Sequence, residues 1–301
     1  MATTASAVRY ARSLLFVPAT RPERFAKALE SGADCIIVDL EDAVAESSKN
    51  AARAQLAQYL PKLTATQLAR TVVRVNAVGT PWHEDDLALM RDGCGQGVAV
   101  MLPKSEDAGA LHAVAKSLGA RAGIVALVES LAGLDALDAI ARVPQVVRLT
   151  FGHLDFQLDL GMRASPEEPE LAFARNALVA VSRRAGLPAP IDGVTTDIGK
   201  AERLSLDARR ARAFGFGGKL CIHPAQVAGV NEALGYSDAE VAWARRVLDE
   251  AARRSGEVFS FEGRMVDLPV IRSAEAIAVN ARRNASPPLA PEQLAETQCG
   301  L

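Results

Sequence analysis

The pattern of this chain predicts an α/β fold, a closed (β/α)8 TIM barrel with a C-terminal helical extension. Three observations carry that expectation. Eight short apolar runs recur along the chain, each is apolar throughout rather than alternating, and segments of helical periodicity separate them. Strands that are apolar on both sides are covered on both faces, as in a parallel sheet wrapped by helices. Runs spaced about 21 to 44 residues apart fit a barrel better than an open sheet.

In order, the runs are LLFVP (14–18), CIIVDL (35–40), VVRVNA (72–77), VAVMLPK (98–104), IVALVE (124–129), VVRLTFG (146–152), PIDGVTTD (190–197) and KLCIHP (219–224). Between them, RPERFAKALESG (21–32) and SKNAARAQLAQYL (48–60) have helical spacing, and Gly32 is a suitable stop for the first. The longest interval follows Asp155; its DLGMRASPEEPE is polar and proline-containing and predicts an active-site loop leading into a helix. After the eighth run, SDAEVAWARRVLDEAARRSG (237–256) predicts a helix with Ser237 as cap, an acid three residues on and a glycine stop. FSFEGRMVDLPVIRSAEAIAVNARRN then predicts a short β piece and a further helix. The domain reading is a barrel over 12–235, an extension over 236–285 and a disordered tail over 286–301. The extension is too small to be a catalytic domain, so it has to pack on the barrel or on a neighbouring subunit.

Composition narrows the function by exclusion. A chain of 301 residues, 49% hydrophobic, with net charge −2, can bury one large core and offers nothing to a polyanion, so no nucleic-acid partner is expected. No run of apolar residues is long enough to span a membrane. The segment MATTASAVRYARS lacks the apolar core of a secretory signal and only faintly resembles a transit peptide, which gives a cytoplasmic reading. Cys35, Cys94, Cys221 and Cys299 have no paired spacing, which indicates neither a disulfide framework nor a zinc site. Neither a Walker A loop nor a dinucleotide-binding glycine fingerprint is present.

Charged residues stand at the carboxyl ends of the runs: Asp39, Glu41 and Asp42, then Arg74, Lys104, Glu129 and Asp155. That end of a parallel strand is where ligands bind, and a charge there needs a partner. Glu129 and Asp155 end consecutive strands, so they lie side by side and are the metal candidates. Two carboxylates with waters describe a Mg²⁺ site that leaves positions for substrate oxygens. The plainer reading, a helix cap or an arginine pair for each, stays open at this point. Arg74 suits a substrate carboxylate or a developing enolate oxygen, or else balances Glu41, Asp42 or Glu129. Glu41 is expected to hold Arg74 or a metal-bound water. Lys104 closes the ring as a catalytic amine or a salt bridge. His223 and His153 read as strand-end residues that shape turns, and His83 and His112 as ordinary loop and helix residues.

Seven motifs in sequence, the opening RSLLFVPATRPERFAKALESGADCIIVDLEDAVAESSKNAAR, then RVNAVGTPW, LPKSED, ALVES, FGHLDFQLDLG, GFGGKLCIHPAQV and FEGRMVDLPV, resemble the HpcH/HpaI aldolase/citrate lyase family. Within it they look like the branch with the citrate lyase beta subunit and the stand-alone malyl-CoA and citramalyl-CoA lyases. The resemblance runs from about Arg12 to about Ile277. It implies a Mg²⁺-dependent barrel, Mn²⁺ being an alternative ion, that makes or breaks a carbon–carbon bond beside a coenzyme A thioester. By motif, Glu129 and Asp155 match the metal carboxylates, Arg74 the arginine beside them and Glu41 the acid behind it. Asp267 matches an acid supplied by the C-terminal segment of the neighbouring subunit, which implies a homotrimer or hexamer. Arg21 and Arg24 match a segment near the CoA phosphates, and Lys104 joins them and Arg74 as a substrate-binding residue. Two other activities compete on the same scaffold: a malyl-CoA-type thioesterase, and a citrate lyase beta-type subunit that acts only with partner subunits.

Overall fold

The computed structural model describes residues 6–254 and 258–285. Eight parallel strands close on themselves in sequence order: β1 Ser13–Pro18, β2 Cys35–Asp39, β3 Thr71–Arg74, β4 Ala99–Leu102, β5 Ile124–Val128, β6 Val146–Phe151, β7 Ile191–Asp192 and β8 Gly218–Cys221. Closure is made where β8 returns to β1, with Ser13 opposite Lys219 and Leu15 opposite Cys221. The expected TIM barrel is the observed one.

Helix α1 (Ser6–Tyr10) precedes the barrel. On its outside run α2 Phe25–Leu29, α3 Lys49–Tyr59, α4 Ala65–Ala69, α5 His83–Gly95, α6 Ala108–Leu118, α7 Leu131–Asp135, α8 Leu137–Ala141, α9 His153–Asp159, α10 Ala172–Arg184, α11 Ala201–Phe214 and α12 Val227–Leu234. The segment 21–32, expected as one helix, is a 3-10 turn at Pro22–Arg24 followed by α2, and Gly32 takes the left-handed φ of 83° past its end.

The strands are apolar throughout because each feeds two cores. Leu14, Ile37, Val72, Met101, Leu127 and Leu220 fill the lumen, while Leu15, Val38, Val73, Val100, Ala126 and Cys221 pack under the helices. Side chains alternate along a strand with period two. The lumen residues Ile37, Val72 and Leu127 therefore predict that Asp39, Arg74 and Glu129 also point inward, at the carboxyl ends.

Hydrogen bonds show why two of the strands stop short of their apolar runs. After Arg74 the chain leaves the ladder because the Asp86 carboxylate takes the Asn76 backbone N–H at 2.9 Å. After Asp192, the Lys219 ammonium donates to the Gly193 carbonyl at 2.6 Å, and the run expected over 190–197 ends as a strand of two residues.

The floor of the barrel is sealed by α1, whose Val8 belongs to the lumen core. Arg148, from β6, is wholly buried and donates to the carbonyls of Val8, Ala11 and Ala189 at 2.9, 2.6 and 2.8 Å. Those carbonyls stand in for a carboxylate, and burial pushes Arg148 down to about 10.

The C-terminal extension has a core of its own. Helix α13 (Asp238–Arg253) starts on the expected capping box, Ser237 with Glu240. A hairpin of β9 (Phe259–Phe261) and β10 (Arg264–Val266) leads to α14 (Leu268–Ala285). Ala244, Val247, Phe259, Val266, Ile271 and Ala274 cluster between them, separate from both barrel cores. The tail expected to be disordered, 286–301, lies outside the described residues, as does Cys299. Among the described residues no helix is long and apolar enough to cross a membrane.

Candidate active site at the carboxyl ends of the strands

The inward-pointing strand ends surround a cavity of about 430 Å³. Asp39, Asp42, Arg74, Glu129 and Asp155 form its polar side, and Phe16, Leu127, Phe151 and Leu220 are among its apolar walls. A larger groove of about 1150 Å³, between α11, α12 and α13, contains none of these charged residues.

Arg74 is clamped before any ligand arrives. Its Nε and Nη2 donate to the two oxygens of Asp39 at 2.8 and 2.6 Å. Its Nη1 lies 3.0 Å from Glu41 and donates to Asp42 at 3.2 Å. The guanidinium is 4.8 Å from the centre of the Phe16 ring. Asp39 is itself fixed, accepting the backbone N–H groups of Glu41 and Ala43 at 2.9 and 3.1 Å. A two-point fork on a pinned carboxylate leaves the arginine one orientation. Burial works against its charge, but Asp39, Glu41 and Asp42 outweigh it and hold Arg74 above its ordinary range. Glu41 is the opposite case. Burial pushes it up to about 8; Arg74 opposes this, and Asp42, Glu129 and Asp39 add to it. Lys49 holds this loop from behind, donating to the Leu40 and Glu41 carbonyls at 2.9 and 3.0 Å.

Glu129 leaves β5 buried, and one of its oxygens accepts the Lys104 backbone N–H at 2.8 Å. Burial pushes its carboxyl up to about 7; the Lys104 N–H opposes this, and the nearby Asp155 charge adds to it. Asp155, in the first turn of α9, is half-buried. The end of β6 can approach Glu129 only because residue 152 is glycine: a Cβ there would stand 2.6 Å from Glu129 Cβ and 2.7 Å from Oε2.

Five carboxylates thus face two cationic side chains, Arg74 and Lys104. A divalent cation between Glu129 and Asp155 fits that imbalance. Among the described residues no cluster of three or more side-chain ligands exists. That donor set suits a hard ion that keeps waters, such as Mg²⁺ or Mn²⁺, and not the closed shell of zinc.

The other expected residues fall in less central places. Lys104 reaches the site through its main chain: it has a left-handed φ of 45°, its N–H orients Glu129, and its side chain is exposed. Arg21 and Arg24 are exposed, Arg21 pairs with Glu23 at 2.5 Å, and neither lines the cavity. Asp267 lies away from its own chain's cavity and accepts the Val270 N–H at 3.3 Å as the cap of α14. The segment 159–170, expected as an active-site loop, contributes nothing to the cavity lining. Glu168 draws it to Arg175 and Arg210 instead. His83 is buried, with Nδ1 2.8 Å from the Asn76 carbonyl oxygen, whereas His112 is exposed on α6 and His223 caps a turn at Pro224–Gln226.

Sequence reading missed Asp39 as the arginine's fork partner, the Lys104 N–H and the need for Gly152. The first was within reach, since Asp39 shares the alternation of Cys35 and Ile37.

A parallel barrel with converging carboxylates and a clamped arginine at its carboxyl-end mouth has the layout of a barrel enzyme's catalytic face. Comparison with known proteins narrows the class: the chain belongs to the HpcH/HpaI aldolase/citrate lyase family, whose model matches residues 12–224. It is 36% identical over 275 residues to a citrate lyase subunit beta-like protein of Deinococcus radiodurans, covering 88% of this chain and 95% of the relative. It is 32% identical over 305 residues to the L-malyl-CoA/beta-methylmalyl-CoA lyase of Rhodobacter capsulatus, covering 91% and 95%. Among solved structures it resembles protein CitE from Mycobacterium tuberculosis in complex with magnesium, acetoacetate and coenzyme A. That match has a TM-score of 0.76 and 37% identity, and covers 91% of this chain and 99% of CitE.

Proposed function

We propose that this protein is a Mg²⁺-dependent carbon–carbon lyase that cleaves, or forms, a 3-hydroxyacyl-CoA. Malyl-CoA, β-methylmalyl-CoA and citramalyl-CoA are the candidate substrates, with acetyl-CoA or propionyl-CoA and a 2-oxo acid as products. The observation that carries the reading is the buried Glu129 beside Asp155, adjoining a pre-clamped Arg74. The relatives' lyase activity and the magnesium and coenzyme A held by CitE support it.

Glu129 and Asp155 would hold the ion, and the Lys104 N–H fixes one oxygen of Glu129. Bound there, the ion would act as a Lewis acid that lowers the pKa of the substrate hydroxyl. In cleavage the hydroxyl proton goes to a base and the C–O bond becomes a carbonyl. The carbon–carbon bonding pair moves into the thioester enolate, which is then protonated on carbon. Arg74 stabilises the developing enolate oxygen without reorganising, because Asp39 has already oriented it. Glu41 backs Arg74. Asp267, supplied by a neighbouring subunit in a homotrimer or hexamer, is assigned the proton transfer. Arg21 and Arg24, with Lys104, are assigned to the substrate's anionic groups. The protein would work in the cytoplasm.

The test incubates the protein with Mg²⁺ and each of the three CoA esters while 2-oxo acid and free thiol are both followed. Release of 2-oxo acid without thiol, lost in Glu129→Ala, is the expected result. Thiol without 2-oxo acid would replace the lyase with a thioesterase. A strict requirement for added subunits would make the chain a citrate lyase beta-type component.

A further inference from the structure

We infer that Gly193, acting through the ring of His153, is a positioning residue that sets where Asp155 stands. The inference deepens the metal reading above and rests on it. His153 and Asp155 are the first and third residues of α9, so one turn of helix carries both. The imidazole is buried and lies across the backbone of Gly193, the residue after β7. A Cβ on Gly193 would collide with His153 Nδ1 and stand 2.8 Å from Cε1 and 3.0 Å from Cγ. Its backbone is outside the left-handed region, so the glycine is required for space and not for conformation.

The backbone of Gly193 is held from behind. Lys219, inside the barrel, donates to the Gly193 carbonyl at 2.6 Å, and Asp192 is tied to Arg175 at 3.2 Å. The ring is 5% exposed, with Phe151 packed near it at 6.3 Å between centroids. Close-packed interiors pass such a displacement on rather than absorbing it. A methyl at 193 therefore pushes the ring, and the first turn of α9 moves with it. Asp155 then shifts relative to Glu129, which is held independently by the Lys104 N–H. Gly152 and Gly193 thus play matched parts: one lets Glu129 approach, the other seats the helix that carries Asp155.

The experiment is titration calorimetry of Mg²⁺ into the full chain without substrate, for the wild type, Gly193→Ala, His153→Ala and the double variant. Gly193→Ala should bind Mg²⁺ about 10- to 100-fold more weakly, the range typical of residues behind metal ligands. In the double variant the methyl occupies space the ring has left, and binding should recover to that of His153→Ala. Wild-type affinity in Gly193→Ala overturns the inference. A double variant as weak as Gly193→Ala, or one that fails to fold alongside it, also overturns it, since the ring is then not the relay. A wild-type chain that takes up no Mg²⁺ sinks the metal reading itself, and that outcome involves no variant at Gly193.

Discussion

Two clusters of ionisable side chains in this barrel deal with burial in opposite ways. At the mouth, among the described residues, Asp39, Glu41, Asp42, Glu129 and Asp155 face the cations of Arg74 and Lys104. Around β7, α10 and α11, the carboxylates of Glu168, Asp192 and Asp207 meet Arg175, Arg203, Arg210 and Lys219. The consequences appear in the acids. Burial raises Glu129 to about 7 and Glu41 to about 8, and the cations beside them do not offset it. Burial also pushes Asp192 up, yet Lys219, Arg175 and His153 more than offset it and hold it below the usual carboxylate range. The second cluster has a cation for every acid. The first is short of positive charge, and that deficit, more than the density of charge, distinguishes a site from a strut.

If the second cluster is a strut, breaking it should act on stability. Arg175→Ala removes the buried arginine that bridges Glu168 and Asp192 and should cost about 3–5 kcal/mol in urea unfolding. A change below about 1 kcal/mol would mean that the second cluster is not a strut. The mouth should respond in rate instead. Arg74→Lys keeps the charge but loses the fork on Asp39, and turnover of the preferred CoA ester should fall about 10²–10³-fold. Its unfolding free energy should shift less than that of Arg175→Ala.

Supplying the missing charge should stabilise only the mouth. At 100 times its dissociation constant, Mg²⁺ should add about 2.7 kcal/mol to wild-type stability, read as a rise in Tm that EDTA reverses. Glu129→Ala should show no such rise; an equal rise there would place the ion elsewhere. The smallest effect belongs to an exposed pair outside both clusters. Arg184 meets Asp138 at 2.6 Å with both side chains about half exposed, and Arg184→Ala should change stability by about 0–1 kcal/mol.

Much of the mouth was legible in the sequence because a strand end is a local feature. Glu129 and Asp155 each follow an apolar run, and consecutive parallel strands bring such ends together. The α13 cap was legible for the same reason, Ser237 and Glu240 being three residues apart. What escaped was long-range. Lys104 reads as an amine, but its left-handed backbone also turns its N–H toward Glu129. Glu168 sits in a loop-like, polar stretch, and only Arg175, Arg203 and Arg210 on two other helices show why that stretch is drawn away from the cavity. Asp192 ends an apolar run as Glu129 does, and nothing local separates the ionised, neutralised acid from the one short of partners.

By itself, then, the sequence determined the eight-stranded barrel, the face on which its charges converge and the family to which the chain belongs. Those follow from periodicity and from short motifs, where neighbours in the chain are neighbours in space. The tertiary structure alone decided which charges are mutually satisfied, that Asp39 clamps Arg74, and that Gly152 and Gly193 make room for the two candidate ligands. Charge balance and close contact depend on distances between strands far apart in the chain, and no local pattern encodes a distance.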